Sequence, residues 1–161
     1  MSGNQILADR FAIRASIRGD RLTVALDTDL GDSTVVYVDV SRFYRPPGHH
    51  AAYPVNYFSE SGTVGDWRRA RVFQLDEELW RRELASRRTV LAVLERPIAE
   101  TFISDEIVVR FLAPPYQPPP FAARNANLQG KAVEVERDAR YVSKSIAIRH
   151  PIESAGPDRL Q

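Results

Sequence analysis

The sequence predicts a mainly β protein, an antiparallel sandwich of seven to eight short strands with one short helix in a connection. Two observations support this fold class. Alternating apolar and polar residues recur along the 161-residue chain, starting at 10–18 and 22–40, and such alternation is typical of strands with one buried face. Only residues 76–87 have helical spacing, so the alternating helices that a parallel sheet needs are missing. An open barrel is the second choice of architecture.

Three strands are predicted in the first part of the chain. Residues 10–18 and 22–26 flank the turn residues Gly19 and Asp20, which predicts a hairpin. Residues 34–42 are rich in β-branched side chains and form the third strand. Aspartate and glycine are common in tight turns, so we interpret the segment between the second and third strands as a hairpin loop.

The middle of the chain breaks this pattern. Pro46, Pro47 and Gly48 interrupt the alternation, and the sequence as far as residue 69 is predicted to be irregular, with a short strand at most around Tyr57. Residues 71–75 are the next predicted strand.

The helix is predicted over 76–87. Asp76 is a favourable N-cap, and Glu77 places negative charge in the first turn. An apolar face predicted for this helix contains Leu75, Leu79, Trp80 and Leu84. A strand with apolar residues on both faces is predicted at 89–94.

Three strands are predicted in the last third, at 105–112, 132–137 and 141–149. In the second of these we expect Val133 and Val135 to point inward and the glutamates outward. Residues 113–121, APPYQPPPF, cannot form an interior strand because each proline removes a backbone donor. A stiff crossover is the favoured interpretation; docking of the P-x-x-P motif on an aromatic groove is the alternative.

Length and composition predict one sandwich domain at 10–150, a disordered or extended N-terminus at 1–9 and a flexible tail at 151–161. The net charge of +1 gives no reason to expect nucleic-acid binding. The chain has no cysteine, which excludes disulfides, thiol catalysis and cysteine-ligated zinc. We identify no transmembrane segment and no signal peptide in the sequence.

Two turns resemble those of bacterial immunoglobulin-like sandwich domains. Residues 28–34, TDLGDST, are similar to the T-N-L-P-D-G-T turn of that family, with aspartate and glycine in place of asparagine and proline. Residues 127–130, NLQG, resemble its N-L-x-G turn. The resemblance covers about a third of the chain and implies a Greek-key sandwich and a non-catalytic, extracytoplasmic domain of the cell envelope.

Candidate metal ligands are few. Asp27, Asp29 and Asp32 are weak candidates for calcium, because oxygen-rich loops at the end of a sandwich can hold that ion. Turn chemistry is the more ordinary explanation of these residues. His49 and His50 are adjacent, so in a strand they would face opposite sides. His150 is distant in sequence. We predict no cofactor.

No recognisable catalytic constellation is present, and we expect a non-enzymatic domain that binds another protein. The preferred partner surface is the long aromatic segment, with Tyr53, Tyr57, Phe58 and Trp67 as its candidate residues. The alternatives are a small metal-dependent hydrolase, built from the histidines and loop acids, and a carbohydrate- or lipid-binding module.

Overall fold

The computed structural model describes residues 4–45, 50–93 and 102–152. These residues include the following strands: β1 (Ile6–Leu7), β2 (Phe11–Arg18), β3 (Arg21–Thr28), β4 (Val35–Arg45), β5 (Tyr53–Thr63), β6 (Arg71–Gln74), β7 (Phe102–Ala113), β8 (Leu128–Gln129), β9 (Glu134–Glu136) and β10 (Ala139–Arg149). Two helices, α1 (Val64–Trp67) and α2 (Glu77–Val93), lie between strands, as does a 3-10 turn at Ala123–Asn125. The chain is therefore mainly β, as predicted.

Two antiparallel sheets contain most of the strands. The larger has the order β5-β4-β7-β10-β9 and the smaller the order β2-β3-β6. The predicted hairpin of β2 and β3 is confirmed, with Gly19 at φ 60° in its turn. That left-handed conformation favours glycine, which has no Cβ to clash. A separate parallel pair joins β1 to β8.

The inner face of the larger sheet packs against two different elements. Val36 and Val38 of β4 lie in one buried cluster with Leu22 and Val24 of β3, so the smaller sheet supplies the other half of this cluster. A second buried cluster joins β4 and β5 to α2, and its members are Tyr44, Val55, Trp80 and Leu84. The larger sheet thus has one part of its inner face against the smaller sheet and another against α2.

Residues 29–34 connect one sheet to the other. β3 pairs with β2 and β6, whereas β4 pairs with β5 and β7. The predicted hairpin loop is therefore wrong at this position. Alternation alone cannot distinguish two strands paired in one sheet from two strands on opposite sides of a core, because both have period two.

The irregular structure predicted up to residue 69 is wrong over residues 53–67, whereas residues 46–49 lie outside the described residues. Residues Tyr53–Thr63 form an eleven-residue strand that pairs with β4, and α1 follows immediately. A register shift opposite Val40 and Ser41 leaves Tyr57 as an extra residue in β5. A bulge of this kind breaks the alternation that predicts a strand.

Helix α2 is longer than predicted. The Asp76 cap is confirmed, because its Oδ1 accepts a hydrogen bond from the Leu79 backbone N–H at 2.9 Å. The strand predicted at 89–94 is wrong, since α2 continues to Val93; Leu94 lies outside the described residues. A short apolar run is compatible with a strand or with a buried helix. Leu79 does not share the buried face of Trp80 and Leu84, because 38% of it is exposed.

β7 and β10 confirm two of the late predicted strands. Of the strand predicted at 132–137, only β9 (Glu134–Glu136) forms. Val135 was expected to point inward and is instead 62% exposed. In the described part of the chain, β9 is an edge strand that pairs with Ala139–Tyr141 alone, and all three of its residues are exposed. Val133 precedes it and is partly buried against the core.

The side chain of Gln117 continues the β-sheet where prolines end β7. Val35 N–H donates to Gln117 Oε1 at 2.7 Å, and Gln117 Nε2 donates to the Val35 carbonyl at 2.7 Å. Pro114 and Pro115 have no N–H group and cannot serve as the next ladder residues. The Gln117 amide therefore replaces a neighbouring strand beside Val35.

The N-terminal segment is joined to a late part of the chain. Ile6 N–H donates to the Asn127 carbonyl at 2.9 Å, and Ala8 N–H donates to the Gln129 carbonyl at 2.7 Å. Gly130 has φ 133°, and a Cβ there would lie 2.5 Å from the Ala8 carbonyl group. Only glycine allows this close approach of two backbones without a clash. At the other end, Ile152 packs against the second cluster.

Candidate functional site

The three aspartates suggested as calcium ligands are each bonded to other groups of the protein. Asp27 accepts hydrogen bonds from Arg10 and Arg14, both at 3.0 Å. Asp29 caps two backbone N–H groups, of Asp9 at 3.0 Å and Arg10 at 3.3 Å. Asp32 pairs with Arg68. The carboxylates therefore have separate donors, which accounts for them through turn and ion-pair chemistry.

Arg68 fastens the loop that carries these aspartates. Besides pairing with Asp32, its guanidinium donates to the backbone carbonyls of Thr28, at 2.8 Å, and Leu30. The planar fork of arginine suits several acceptors at once. Leu30 is 1% exposed and packs in the first cluster. One side chain just after α1 thus fixes the connection between the two sheets.

Histidines and acids form no metal cluster in the described ranges. Among these residues, no group of three or more histidine, cysteine, aspartate or glutamate side chains could hold a metal ion. His50 is exposed. His150 Nε2 lies 3.9 Å from Glu77 Oε1 and not beside the loop acids. His49 lies outside the described residues.

The four aromatic partner candidates lie in different environments. Trp67 is 0% exposed and contacts Phe73 and Phe111, so its assignment to a partner surface is wrong. Phe58 is half-buried and stacks on Phe73 with 4.4 Å between ring centroids. Of the four candidates, only Tyr53 is classed as exposed, at 38%. These aromatic residues mostly fill the core of the protein.

Tyr57 belongs to a buried polar cluster that sequence reasoning missed. Its centre is Arg42, which is 0% exposed. Arg42 Nε donates to the Tyr57 hydroxyl at 2.9 Å, and Nη1 donates to the carbonyls of Ser104 at 2.9 Å and His150 at 2.7 Å. Nη2 contacts Glu77 Oε1 at 3.4 Å. A buried guanidinium is tolerated only when it is paired and hydrogen-bonded in this way.

Aromatic rings and the start of α2 complete the cluster. The Arg42 guanidinium carbon lies 5.6 Å from the Trp80 ring centroid and 5.9 Å from that of Tyr57. The Tyr57 hydroxyl donates a hydrogen bond to Glu77 Oε1 at 2.7 Å. Glu77 is the first residue of α2, where the helix dipole favours a negative charge. The cluster therefore joins the start of the helix to the sheet.

Burial is the main cause of a raised pKa at Tyr57, and the hydrogen bond to Glu77 raises the pKa further. The phenol accordingly remains protonated and acts as a donor. Glu77 Oε2 is buried without a hydrogen-bond partner. With its cation fully enclosed, this cluster can hold α2 against the sheet, but Arg42 cannot reach a ligand.

A sequence signal for this cluster exists. Val36, Val38 and Val40 mark the inward positions of β4, and Arg42 continues the same alternation. An arginine at an inward position predicts a buried partner of opposite charge. The partner could not be identified in the same way, because Glu77 is distant in sequence and lies on another element.

The opposite side of the larger sheet forms a second candidate site, which we call the outer face. Strand register places its residues in rows across β5, β4, β7 and β10. They are Ser61, Tyr37, Leu112 and Ser143 in one row; Ser59, Asp39, Arg110 and Ser145 in the next; and Asn56, Ser41, Val108 and Ala147 in the third. Tyr37 is 45% exposed at one end of this face.

The centre of the outer face contains an internally satisfied ion pair. Arg110 Nη2 donates to Asp39 Oδ2 at 2.6 Å, and the Ser59 hydroxyl donates to Asp39 Oδ1 at 2.6 Å. The surrounding residues, apart from Leu112 and Asn56, are small or hydroxyl-bearing. A partner could cover this centre without leaving a charge unpaired.

The two ends of the outer face differ in charge. At one end, Glu134 and Glu136 flank Tyr141, and the pKa of Tyr141 is raised, first by desolvation and then by these two charges. At the other end, Arg149 closes β10 and Arg45 closes β4.

The basic end also has an exposed aromatic ring. Phe102 pairs with Arg45 in strand register, is 58% exposed, and has the Arg45 guanidinium 5.4 Å from its ring centroid. Glu106 lies opposite Arg149 and offsets one of the two positive charges there. The outer face is therefore acidic at one end and carries a smaller basic excess at the other.

No protein-family model, curated protein or solved structure matches the chain. Within the part of the chain that the structure describes, no helix combines the length and apolar character needed to cross a bilayer.

Proposed function

We propose that the chain is a non-enzymatic protein-binding domain and that its binding surface is the outer face of the larger sheet. We also propose an immunoglobulin-like sandwich architecture and a role in a bacterial envelope or surface assembly. The architecture draws support from the cluster shared by the two sheets and from a 29–34 loop that crosses between them. The envelope role depends on the resemblance of the two turns.

The observation that carries the binding proposal is the exposed ring of Tyr37 beside the serine hydroxyls of the adjacent strand β5. Tyrosine contributes a large contact area with little loss of side-chain entropy, and serine supplies adaptable hydrogen bonds. Ser59 and Ser61 are exposed beside it on β5, and Ser145 is exposed two strands away on β10. This combination on a face built of regular strands favours recognition of another protein.

The proposed surface differs from the aromatic segment that the sequence favoured. Both tryptophans are in the core, with Trp67 at 0% and Trp80 at 1% exposure. Tyr57 is engaged by Arg42 and Glu77. Binding is therefore assigned to residues that the alternation places outward on β4, β7 and β10.

Site-specific photocrosslinking in the cell of origin tests this proposal. A photoreactive amino acid replaces Tyr37 in the full chain, and a matched one replaces Val72, which is 61% exposed on β6 of the smaller sheet. We expect covalent protein adducts from position 37 and not from position 72. No adduct from position 37, or equal yields from both positions, would overturn the assignment.

A further inference from the structure

We infer that the outer face binds a second copy of this chain, forming a weak two-fold dimer in which β10 of one copy runs antiparallel to β10 of the other. This inference rests on the proposed function, because it names the partner of the same surface. The reasons are the opposite charges at the two ends of the face, its mixture of large and small side chains, and its size.

Charge complementarity sets the orientation. Glu134 and Glu136 lie beside the start of β10, and Arg149 lies at its end. Arg149 lies eight positions after Tyr141, a distance of about 26 Å along a strand. A two-fold axis across the strands brings the acidic end of each copy to the basic end of the other, so both pairs of ends attract each other. A parallel arrangement would instead bring like charges together.

Side-chain size is complementary in the same orientation. The exposed rings, Tyr37 near the acidic end and Phe102 near the basic end, project from a face otherwise rich in serine. The two-fold places Phe102 of one copy toward the Tyr37 end of the other. The paired charges of Asp39 and Arg110 remain satisfied within each copy.

The size of the face suits a weak dimer. Four strands spaced about 4.8 Å apart and about 26 Å long present roughly 500 Å² of projected area per copy. Specific interfaces begin at about 600 Å² of accessible surface per partner. A corrugated face of this size reaches that lower limit, so the dimer should dissociate on dilution.

Sedimentation equilibrium of the full chain tests the inference, over a dilution series from about 1 μM to 1 mM, the range of weak affinities. We expect a monomer–dimer equilibrium in low salt that shifts toward monomer as salt rises. Glu134→Arg with Glu136→Arg in one chain, and Arg45→Glu with Arg149→Glu in another, should each raise the Kd at least about tenfold, because both contacts become repulsive.

Mixing the two variants provides the decisive measurement. In the mixed dimer one copy has two basic ends and the other has two acidic ends, so the mixture should dimerise where neither variant does alone. Arg18→Glu with Arg21→Glu makes the same change of charge on the smaller sheet and should leave the wild-type Kd unchanged.

Two results would overturn the inference. The first is a wild-type chain that stays monomeric throughout the series, and the second is a mixture of the two variants that does not dimerise. Failure of the proposed function is seen separately. A monomeric chain that still gives adducts with a different protein from position 37 excludes the second copy and retains the binding surface. The absence of any adduct from position 37 would overturn both the binding surface and the second copy as its partner.

Discussion

The hydroxyl of Tyr57 donates to Glu77 Oε1 across a distance of 2.7 Å, so an extra residue in a bulged strand binds the first residue of α2. Arg42 lies behind this contact and binds both partners. The fold therefore uses one buried cation to attach its main helix to its larger sheet. Five predictions follow from this cluster and from two other contacts.

Removing the buried cation should destabilise the protein strongly. Arg42→Met leaves the carbonyls of Ser104 and His150 without their donor and removes the cation beside Glu77, to which the Tyr57 hydroxyl still donates. Breaking one partner of a buried pair costs about 3–5 kcal/mol. Urea unfolding measures the loss. Arg14→Met provides the matched control, because Arg14 pairs with Asp27 but its side chain is 73% exposed; such pairs contribute at most about 1 kcal/mol. Equal losses in both variants would contradict the role of Arg42.

Neutralising the partner carboxylate should recover part of that loss. In a double variant, Arg42→Met with Glu77→Gln, the unpaired negative charge is gone. We expect the double variant to lose less free energy of unfolding than the sum of the two single variants, with a coupling of about 0.5–3 kcal/mol. Additive losses would show that Arg42 and Glu77 act independently.

The phenol of Tyr57 should make the protein sensitive to alkali. Its pKa is raised in the folded state, so its contribution is fully present below pH 10, the ordinary tyrosine pKa, and is lost as the pH rises above it. In that range the unfolded chain loses a proton that the folded chain keeps, which lowers the free energy of unfolding by up to about 1.4 kcal/mol per pH unit.

Tyr57→Phe should therefore flatten the decline of stability between about pH 10 and 12, as measured by urea unfolding at fixed pH. Tyr116→Phe removes the hydroxyl from a side chain that is 80% exposed and should follow the wild-type curve. Identical slopes for Tyr57→Phe and wild type would contradict the prediction.

Gly130→Ala should release the N-terminal segment. The new Cβ would clash with the Ala8 backbone, and alanine is strained at φ 133°. We expect a loss of about 1–3 kcal/mol, with faster hydrogen exchange at the Ile6 and Ala8 amides. Gly31→Ala is the control, because a Cβ at Gly31 meets no atom within 4 Å. Unchanged exchange at Ala8 would show that the contact does not hold the segment.

Gln117→Leu should weaken the start of β4. The substitution keeps the approximate size of the side chain but removes the donor and the acceptor that bind Val35. Each unsatisfied backbone group costs about 1–3 kcal/mol when buried. Thermal unfolding measures the effect, and Gln129→Leu, at an exposed position, is the matched control. If both variants unfold at the same temperature, the Gln117 amide does not act as a substitute for a strand.

The sequence could predict elements whose signals are local. β2, β3 and β4 have uninterrupted alternation, and Asp76 is a local capping signal, so these features were identified correctly. β5 could not be, because its bulge at Tyr57 and its pairing with β4 depend on residues distant in sequence. The buried polar cluster around Arg42 and the outer face could not be predicted for the same reason. Alternation places Arg42 inward and Tyr37 outward, but only the fold shows what lies beside each of them.

The pairing of β1 with β8 has a consequence for synthesis on the ribosome. Leu128 is made about 120 residues after its partner Ile6. At about 5–20 residues per second, the first strand must wait roughly 6–24 s for its binding site. During that interval β2 and β3 can already form their hairpin, since their partners are adjacent in sequence. β1 is thus expected to dock after the hairpin of β2 and β3 has formed, although it precedes that hairpin in the chain.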